Sequence, residues 1–526
     1  MSNSKKIIAL IAALVFFVSL AVGYWPVYHK GHPWSFAADA MILARNLNLV
    51  GNYSLDSEKN IVLSSELIAV EGIPSDLGNK LTPVLTSYFF RVFGFTPLLP
   101  LWISLGVFAV INVLLFLLVR RRFGFLAGIL FALTAVLSPF MLQNAARFGT
   151  YEWAMLFLTI ALVVYFWREK PPLANLLIAG IFLGLATLAR NSFLVLPLAF
   201  ALYELWQNHS WKKALTLVLP LVVFWGIYLG PGLLNGQSIH NAYLSGPEEK
   251  TTAYMHIFPD PYTWHFERDA YAQTLIGSGD YGVNEFLLKY GYPVSPQNKI
   301  TMYLASAWSY PWGFLSVKNT GGPLVLFLLA LGIFYLSQKN KKVLWLFVCW
   351  AGSLYVFLII STGNHFGHMM PLQFPFFLLT ALGLLTLFDF VRQSEFSARA
   401  KTMLVFGLLA VFIGHLIWAD QEMFHEKYLY AQTGQSYATI NLVKQAADKL
   451  DKKTDVLAVG SPNPTTSMVN YYTNFSCVYF APATVQKLIR ENKLAWAFAQ
   501  FGITRVVGYD AELGRDISAA TGIGPL

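Results

Sequence analysis

Charged residues and cysteines are scarce in this chain of 526 residues. Only 12% of the residues are charged, whereas 56% are hydrophobic and 16% are aromatic. Soluble domains carry about 25% charged residues, so the composition excludes a soluble globular protein. The only two cysteines are Cys349, inside an apolar run, and Cys477, near the end of the chain. With one of the two predicted to lie in lipid, no disulfide framework is expected.

Long apolar runs predict a polytopic membrane protein. A hydrocarbon core of about 30 Å takes about 20 helical residues to cross. Eleven runs of about this length predict eleven membrane-spanning helices, at 7–28, 98–119, 123–143, 153–167, 173–189, 192–206, 213–234, 321–337, 343–360, 372–390 and 402–419. The first run has the basic start of a signal peptide but no small-residue cleavage site, so we expect an uncleaved anchor.

Basic residues predict the orientation in the membrane, because they cluster at every second connection and such connections are cytoplasmic. Fifteen of the 37 basic residues lie there: Lys5, Lys6, Arg120, Arg121, Arg122, Arg168, Lys170, Lys212, Lys213, Lys339, Lys341, Lys342, Arg392, Arg399 and Lys401. We expect a prokaryotic plasma membrane, a cytoplasmic N-terminus and an extracytoplasmic C-terminus. Topology also explains much of the net charge of +9, so no nucleic-acid partner is expected.

Three long polar segments then lie outside the membrane. Segment 29–96 holds two apolar stretches at helical spacing, which predict interfacial helices. Segment 235–320 is rich in aromatic residues, which either cover a site or form a membrane-interface belt. The tail, 420–526, alternates helical patterns with short strands and predicts a small α/β domain. The predicted fold is therefore an all-α polytopic membrane module, 1–419, followed by this domain.

Charges at the outer connections are the candidate functional residues, because ionisable groups close to the membrane interior are costly. They are Asp39, Lys80, Arg147, Glu152, Arg190, His365 and His368. Asn46 lies seven residues after Asp39, so the two share one face of a predicted helix. Glu152 begins a predicted helix close to Arg147, either as a site residue or as a helix-dipole partner.

Arg190 lies between two short apolar runs. A helix of 15 residues rises only about 22 Å, less than the bilayer thickness, so these helices are predicted to end below the outer surface. Arg190 would then form the floor of an outward-facing cavity and bind a phosphate; a snorkelling surface arginine is the alternative. His365 and His368 lack a third metal ligand, so we expect them to bind a polar substrate. No metal and no cofactor are predicted.

Several stretches together resemble a known family. They are the early Asp39 with ARNLNLVGNYS after it, GNKLTPVLTSYFFRVFG, the turn that carries Glu152, and GIFLGLATLARNSFLVLPLAF. In this order they resemble the C-type (GT-C) superfamily of integral membrane glycosyltransferases, particularly the lipid A aminoarabinose transferases and the protein O-mannosyltransferases. The likeness covers about residues 7–230 well, the later spans loosely and the tail hardly at all. Such enzymes move a sugar from a polyprenyl phosphate to an acceptor hydroxyl.

The resemblance implies roles for individual residues. Asp39 matches the family's essential first-loop acid, Lys80 resembles the lysine that helps to bind the carrier phosphate, and Glu152 falls at the second-loop acid. The segment that ends at Arg190 is typical of the group. The sequence also departs from the family pattern: Ala40 replaces a second acid, Thr82-Pro83-Val84 replaces Pro-Pro-Leu, and the two histidines stand where relatives have Arg-Tyr.

The sequence therefore predicts an inverting glycosyltransferase with Asp39 as general base. Lys80, Arg147 and Arg190 are predicted to bind the phosphate, and Glu152 to orient the acceptor or bind a divalent metal, as in the oligosaccharyltransferase relatives. The expected partners are a polyprenyl-phosphate sugar donor, membrane lipids, and a lipid, glycan or protein acceptor. The alternative is a transporter or lipid flippase with a charged outward cavity, but such proteins tend to have paired halves, which the sequence does not show.

Overall fold

Most of the chain that the structure describes is helical. The computed structural model describes residues 3–30, 38–49, 51, 62–63, 81–147, 151–169, 171–234, 307, 322–361, 366–425, 438–460, 465–480, 482–500 and 502–526. Helices occupy nearly all of the apolar part of these ranges, and short strands occur in the polar part.

A helix lies at each of the eleven predicted spans. The helices from the first span to the last, with two more between the first and second spans, are α1 (Asn3–Lys30), α2 (Ala38–Leu49), α3 (Leu81–Phe93), α4 (Leu99–Phe123), α5 (Phe125–Val136), α6 (Pro139–Arg147), α7 (Tyr151–Phe166), α8 (Leu173–Ala189), α9 (Val195–Asn208), α10 (Trp211–Leu234), α11 (Pro323–Lys339), α12 (Lys341–Ser361), α13 (Gln373–Gln393) and α14 (Ala398–His425).

The third predicted span is the one that the structure divides, into α5 and α6. Pro139 is the first residue of α6. Proline has no N–H group and its ring clashes with the preceding turn, which favours a helix break here, although α10 continues through Pro220 and Pro231.

Five described segments are long and apolar enough to cross a membrane: Lys5–Trp25, Leu99–Phe123, Lys341–Ile359, Met369–Gln393 and Ala398–Ala419. Shorter apolar helices include α7, α8 and α11. The fold class is confirmed as a helical membrane protein, whereas the number of spans stays a prediction. The two helices beside Arg190 are also short, as predicted, since α8 has 17 residues and α9 has 14.

Two glycines let α11 and α13 cross with their backbones in contact. A Cβ atom at Gly332 of α11 would overlap the carbonyl oxygen of Leu379, and one at Gly383 of α13 would overlap the carbonyl oxygen of Leu328. Small residues at membrane helix crossings allow this close approach. The sites are reciprocal, so neither helix has room for a larger residue there.

The basic end of α4 binds the C-terminal end of α7. Arg121 Nε donates to the carbonyl oxygen of Trp167 at 3.1 Å, and Arg122 donates to the carbonyl oxygens of Phe166 and Arg168. These bonds satisfy carbonyl groups that a helix end leaves open. Two of the basic connections that were predicted to share one membrane face therefore meet.

The tail forms a small parallel sheet with helices, as predicted. Its strands β2 (Val456–Val459), β3 (Ser476–Tyr479) and β4 (Ile503–Val507) are joined by a fourth, β1 (Val62–Leu63), in the order β1-β3-β2-β4. All neighbouring strands are parallel, and Val62 pairs with Cys477. Its helices include α15 (Thr465–Thr473), α16 (Pro482–Arg490), α17 (Leu494–Gln500) and α18 (Ala511–Thr521).

The chain forms two compact units. Unit 1 comprises 1–31, 101–226 and 272–426, and unit 2 comprises 32–100, 227–271 and 427–526. The sequence assigns the first outer segment to the membrane module, but by its contacts this segment belongs with the tail, to whose sheet it contributes β1. The functional division at residue 420 stays a prediction.

The middle of helix α2 is buried on all sides. Every residue from Met41 to Asn46 is buried, although the sequence pattern predicts one apolar face. The reason is that α2 packs against both α3 and α15. Helix α3, in contrast, keeps an amphipathic form, since Phe90 is buried and Val92 and Phe93 are exposed.

Candidate active site

In unit 1, Arg190 at the end of α8 contacts the start of α7, the turn that also carries Glu152. Arg190 directly follows α8, and its Nη2 donates to Tyr151 Oη at 2.9 Å. The guanidinium carbon lies 4.4 Å from the centroid of the Tyr151 ring. Glu152, which follows Tyr151 in the chain, lies in the first turn of α7. We call Tyr151, Glu152 and Arg190 the Arg190 cluster.

Glu152 is buried, with 4% of its surface exposed. A carboxylate in the first turn of a helix is stabilised by the helix dipole, which explains part of this placement. Arg190 is only half-buried and so remains accessible from one side. A buried acid is costly, and Arg190 is bonded to Tyr151, the residue that precedes Glu152 in α7.

The turn after Arg190 packs against the segment that carries His368. This turn is the 3-10 helix Asn191–Phe193, and it contacts the 3-10 helix Phe366–Leu372, which also contacts α7. The backbone therefore brings the segment of His368 to the Arg190 cluster. The side chain of His368, and the whole of His365, lie outside the described residues.

Two buried polar atoms lie in or directly beside these two elements. Ser192 Oγ and Gln373 Oε1 have no hydrogen-bond partner among the residues that the structure describes. Ser192 belongs to the turn after Arg190, and Gln373 directly follows the 3-10 helix of His368. Buried groups of this kind usually bind water or a ligand, so this region has capacity for a polar molecule.

Arg147 is the last residue of α6, which packs against α7. Its side chain lies outside the described part of the chain. The backbone places it close to the start of α7, as the sequence predicts, and its role as a phosphate ligand stays a prediction.

The remaining predicted residues belong to unit 2. Asp39 is the second residue of α2, and its side chain lies outside the described residues, as does Lys80, which directly precedes α3. Asn46 is buried, and its Oδ1 accepts a hydrogen bond of 3.2 Å from Arg45 Nε. Asp39 thus occupies a helix N-terminal turn, where a carboxylate is favoured.

Comparisons with known proteins concern the family and the fold that this chain is similar to. The family model for dolichyl-phosphate-mannose-protein mannosyltransferases matches residues 81–229, a range that contains the whole Arg190 cluster. The crystal structure of ArnT from Cupriavidus metallidurans bound to undecaprenyl phosphate has a TM-score of 0.50 and 12% identity, over 91% of this chain and 86% of that chain. The chain therefore has the GT-C fold, and its residues 81–229 are similar to the mannosyltransferase family.

A second solved structure has the same GT-C fold. The oligosaccharyltransferase of Archaeoglobus fulgidus, in complex with Zn and sulfate, has a TM-score of 0.52 and 14% identity. The match covers 94% of this chain and 66% of the oligosaccharyltransferase chain. A comparison with curated protein sequences finds no match.

Within the described ranges, the protein has no group of three or more His, Cys, Asp or Glu residues that could hold a metal ion. Several predicted polar residues, including His365, lie outside those ranges. The absence of a metal therefore stays a prediction for the complete chain.

Sequence reasoning missed Tyr151, although this residue joins Arg190 to the turn of Glu152. A tyrosine at the start of an apolar helix is usual in aromatic belts, so its type gave no signal. The available signal was its position beside an acid at a helix start. That Arg190, 39 residues later, donates to it depends on how α7 packs against α8.

Proposed function

We propose that this GT-C protein transfers a sugar from a polyprenyl-phosphate donor to an acceptor hydroxyl at the outer face of the membrane. The observation that supports this most is the Arg190 cluster, a buried acid and an accessible cation at one end of apolar helices. The cluster lies inside the range that matches the mannosyltransferase model. The ArnT structure of similar fold holds undecaprenyl phosphate, which supports a lipid-linked phosphate as ligand.

The proposed reaction is a single inverting displacement. Asp39 accepts the proton of the acceptor hydroxyl while the hydroxyl oxygen bonds to C1 of the sugar. The bond from C1 to the phosphate oxygen breaks on the opposite face, and its electron pair leaves with the polyprenyl phosphate. One base and one anionic leaving group suffice, so no covalent enzyme intermediate is needed.

Cations stabilise the leaving phosphate in this proposal. Arg190, with Lys80 and Arg147, binds the oxygens on which negative charge develops, and such contacts are stronger in a partly dehydrated site than in water. The hydrogen bond from Arg190 to Tyr151 orients the guanidinium before the substrate arrives. Glu152 orients the acceptor hydroxyl.

The other predicted contacts concern the sugar and acceptor. His365 and His368 are proposed to donate or accept hydrogen bonds with them, whereas Asn46, predicted with them, is buried and bonded to Arg45 and is not proposed to contact the substrate. The buried oxygen of Ser192 lies in the turn after Arg190, and that of Gln373 directly follows the 3-10 helix that packs against this turn, which supports a polar ligand in this region.

The alternative function, transport or lipid flipping, is not favoured, because the family model that matches describes transferases. We propose a prokaryotic plasma membrane with the C-terminal domain outside. Protease treatment of intact spheroplasts tests the orientation: cleavage of a tag at the C-terminus is expected, and protection of that tag would contradict it.

The central experiment compares Asp39→Asn with wild type. Purified protein in lipid nanodiscs is given a panel of radiolabelled polyprenyl phosphate sugars and candidate acceptors, and transfer is followed. Loss of the base is expected to reduce kcat by about 10²–10⁴-fold. The matched control is Asp516→Asn, an exposed aspartate of α18, which is expected to retain full activity.

Two outcomes would overturn the assignments. Unchanged transfer by Asp39→Asn would reject Asp39 as the general base. No transfer by wild-type protein with any donor, combined with movement of labelled lipid across the bilayer, would favour transport.

A further inference from the structure

Arg45 is a fully buried cation in α2, with 1% of its surface exposed. Its partners lie mainly in the C-terminal domain. Nη1 donates to the main-chain oxygen of Asn470 at 3.2 Å, and Nη2 donates to Asn470 Oδ1 at 2.9 Å. Nε donates to Asn46 Oδ1, so each of the three guanidinium nitrogens makes a hydrogen bond.

Asn470 is also buried and is hydrogen-bonded through its side-chain amide to Arg45 and Phe475. It lies in α15 with 0% of its surface exposed. Its Nδ2 donates to the main-chain oxygen of Phe475 at 2.8 Å, just before β3 begins. Asn470 therefore connects Arg45 to the turn between α15 and β3, in the interior of the C-terminal domain.

Apolar packing alone does not require such a pair. The atoms that bind the guanidinium are neutral amide oxygens, and burial lowers the pKa of Arg45 to about 10. An apolar residue of similar volume would often hold two elements together as well or better. What a forked guanidinium adds is a defined geometry, because its planar donors fix both distance and angle.

Other contacts hold the first outer segment on the same domain. Strand β1 pairs with β3. The Tyr471 hydroxyl lies 3.4 Å from the carbonyl oxygen of Pro97, and the Tyr471 ring meets Phe95 edge-on. The chain from α2 to Pro97 is therefore attached to the C-terminal domain at three places: at α2, at β1, and at Phe95 and Pro97.

We propose that Arg45 and Asn470 are positioning residues, which hold α2 against the C-terminal domain and thereby place Asp39 for the reaction. Asp39 precedes Arg45 by six residues, or about 9 Å along a helix, so a rigid α2 transmits the position of Arg45 to its first turn. The proposal rests on the proposed function of Asp39. It also assigns a role to the C-terminal domain, as the part that completes the first outer segment.

The test is a double-mutant cycle on kcat with Arg45→Met, Asn470→Leu and the double variant. Misplacing a catalytic group by about 1 Å costs about 100-fold in rate, so each single variant is expected to lower kcat by about 10- to 100-fold. The KM for the donor is expected to stay within about twofold, because the phosphate-binding residues are intact. The double variant is expected to be no slower than either single one.

Three further variants separate positioning from folding. Arg45→Lys keeps the charge without the fork and is expected to restore part of kcat. Asn470→Ala is the milder variant, used if larger changes prevent folding. Arg505→Gln, at an exposed arginine of β4, is the control and is expected to keep wild-type kcat.

Hydrogen exchange supplies a readout that does not depend on activity. In Asn470→Ala, amides of residues 38–49 are expected to exchange faster than in wild type. Unchanged kcat in folded Arg45 and Asn470 variants would overturn the positioning role, even if their melting temperatures fall. If wild type transfers no sugar, the proposed function fails, and unchanged exchange in residues 38–49 would separately reject the attachment of α2 through Asn470.

Discussion

The Arg190 cluster allows a prediction with a defined magnitude, because Tyr151 makes two separable contacts with Arg190. Tyr151→Phe removes the hydroxyl, which accepts the 2.9 Å hydrogen bond, but keeps the ring beneath the guanidinium. A hydrogen bond to a charged group contributes about 1.5–3 kcal/mol, and about 1.4 kcal/mol corresponds to tenfold in rate. Arg190 is only half-buried, so we expect the lower half of this range, about 10- to 40-fold in kcat/KM.

Tyr151→Leu removes the ring as well. The cation–π contact, with 4.4 Å between the guanidinium carbon and the ring centroid, is worth about 0.5–2 kcal/mol, so a further loss of about 2- to 30-fold in kcat/KM is expected. Rates are measured with purified protein in nanodiscs, and melting temperature is recorded in parallel. Tyr335→Phe, in α11, serves as the control. Wild-type kcat/KM in a folded Tyr151→Phe protein would refute the reasoning that Tyr151 orients Arg190.

Two further predictions concern packing and burial. Gly332→Ala or Gly383→Ala is expected to lower stability by about 1–3 kcal/mol, because each new methyl group meets the backbone of the opposite helix. Stability is measured as thermal unfolding in detergent, and Gly407→Ala, where a Cβ would have no atom within 4 Å, is the control. Equal effects at all three sites would contradict the close crossing of α11 and α13. Burial raises the pKa of the Cys477 thiol, so in a Cys349→Ser background a maleimide at pH 8 is expected to label only unfolded protein. Rapid labelling of folded protein would contradict the burial. Since the unfolded thiol has a pKa of about 8.5, the contribution of Cys477 to the free energy of unfolding is present below that pH and decreases as the pH rises above it.

The membrane helices were predictable because hydrophobicity along a single chain determines them. A run of apolar residues forms a helix in a membrane whatever its neighbours are, since the backbone must satisfy its own hydrogen bonds there. The short α8 and α9 followed from the same counting. The break at Pro139 was also visible in the sequence, but the apolar run across it suggested one continuous span.

The candidate site was predictable only in part. Arg147, Glu152 and Arg190 were predictable because charges are rare at the ends of apolar helices, and the structure bonds Arg190 to Tyr151, which precedes Glu152. Tyr151 carried no such signal. Arg45 was equally hidden, because an arginine in a polar segment is expected to be solvated, whereas its partner Asn470 lies 425 residues away.

The sequence by itself determined the membrane class, the positions of the apolar helices, the α/β character of the tail and the set of candidate charges, Asp39 foremost. These properties depend on composition and on local periodicity, which need no partner. Only the tertiary structure decided that Tyr151 holds Arg190, that α2 is buried on all sides, and that β1 and Arg45 join the first outer segment to the tail. Such contacts join residues far apart in the chain, and no local pattern encodes which of many compatible partners a strand edge or a buried cation meets.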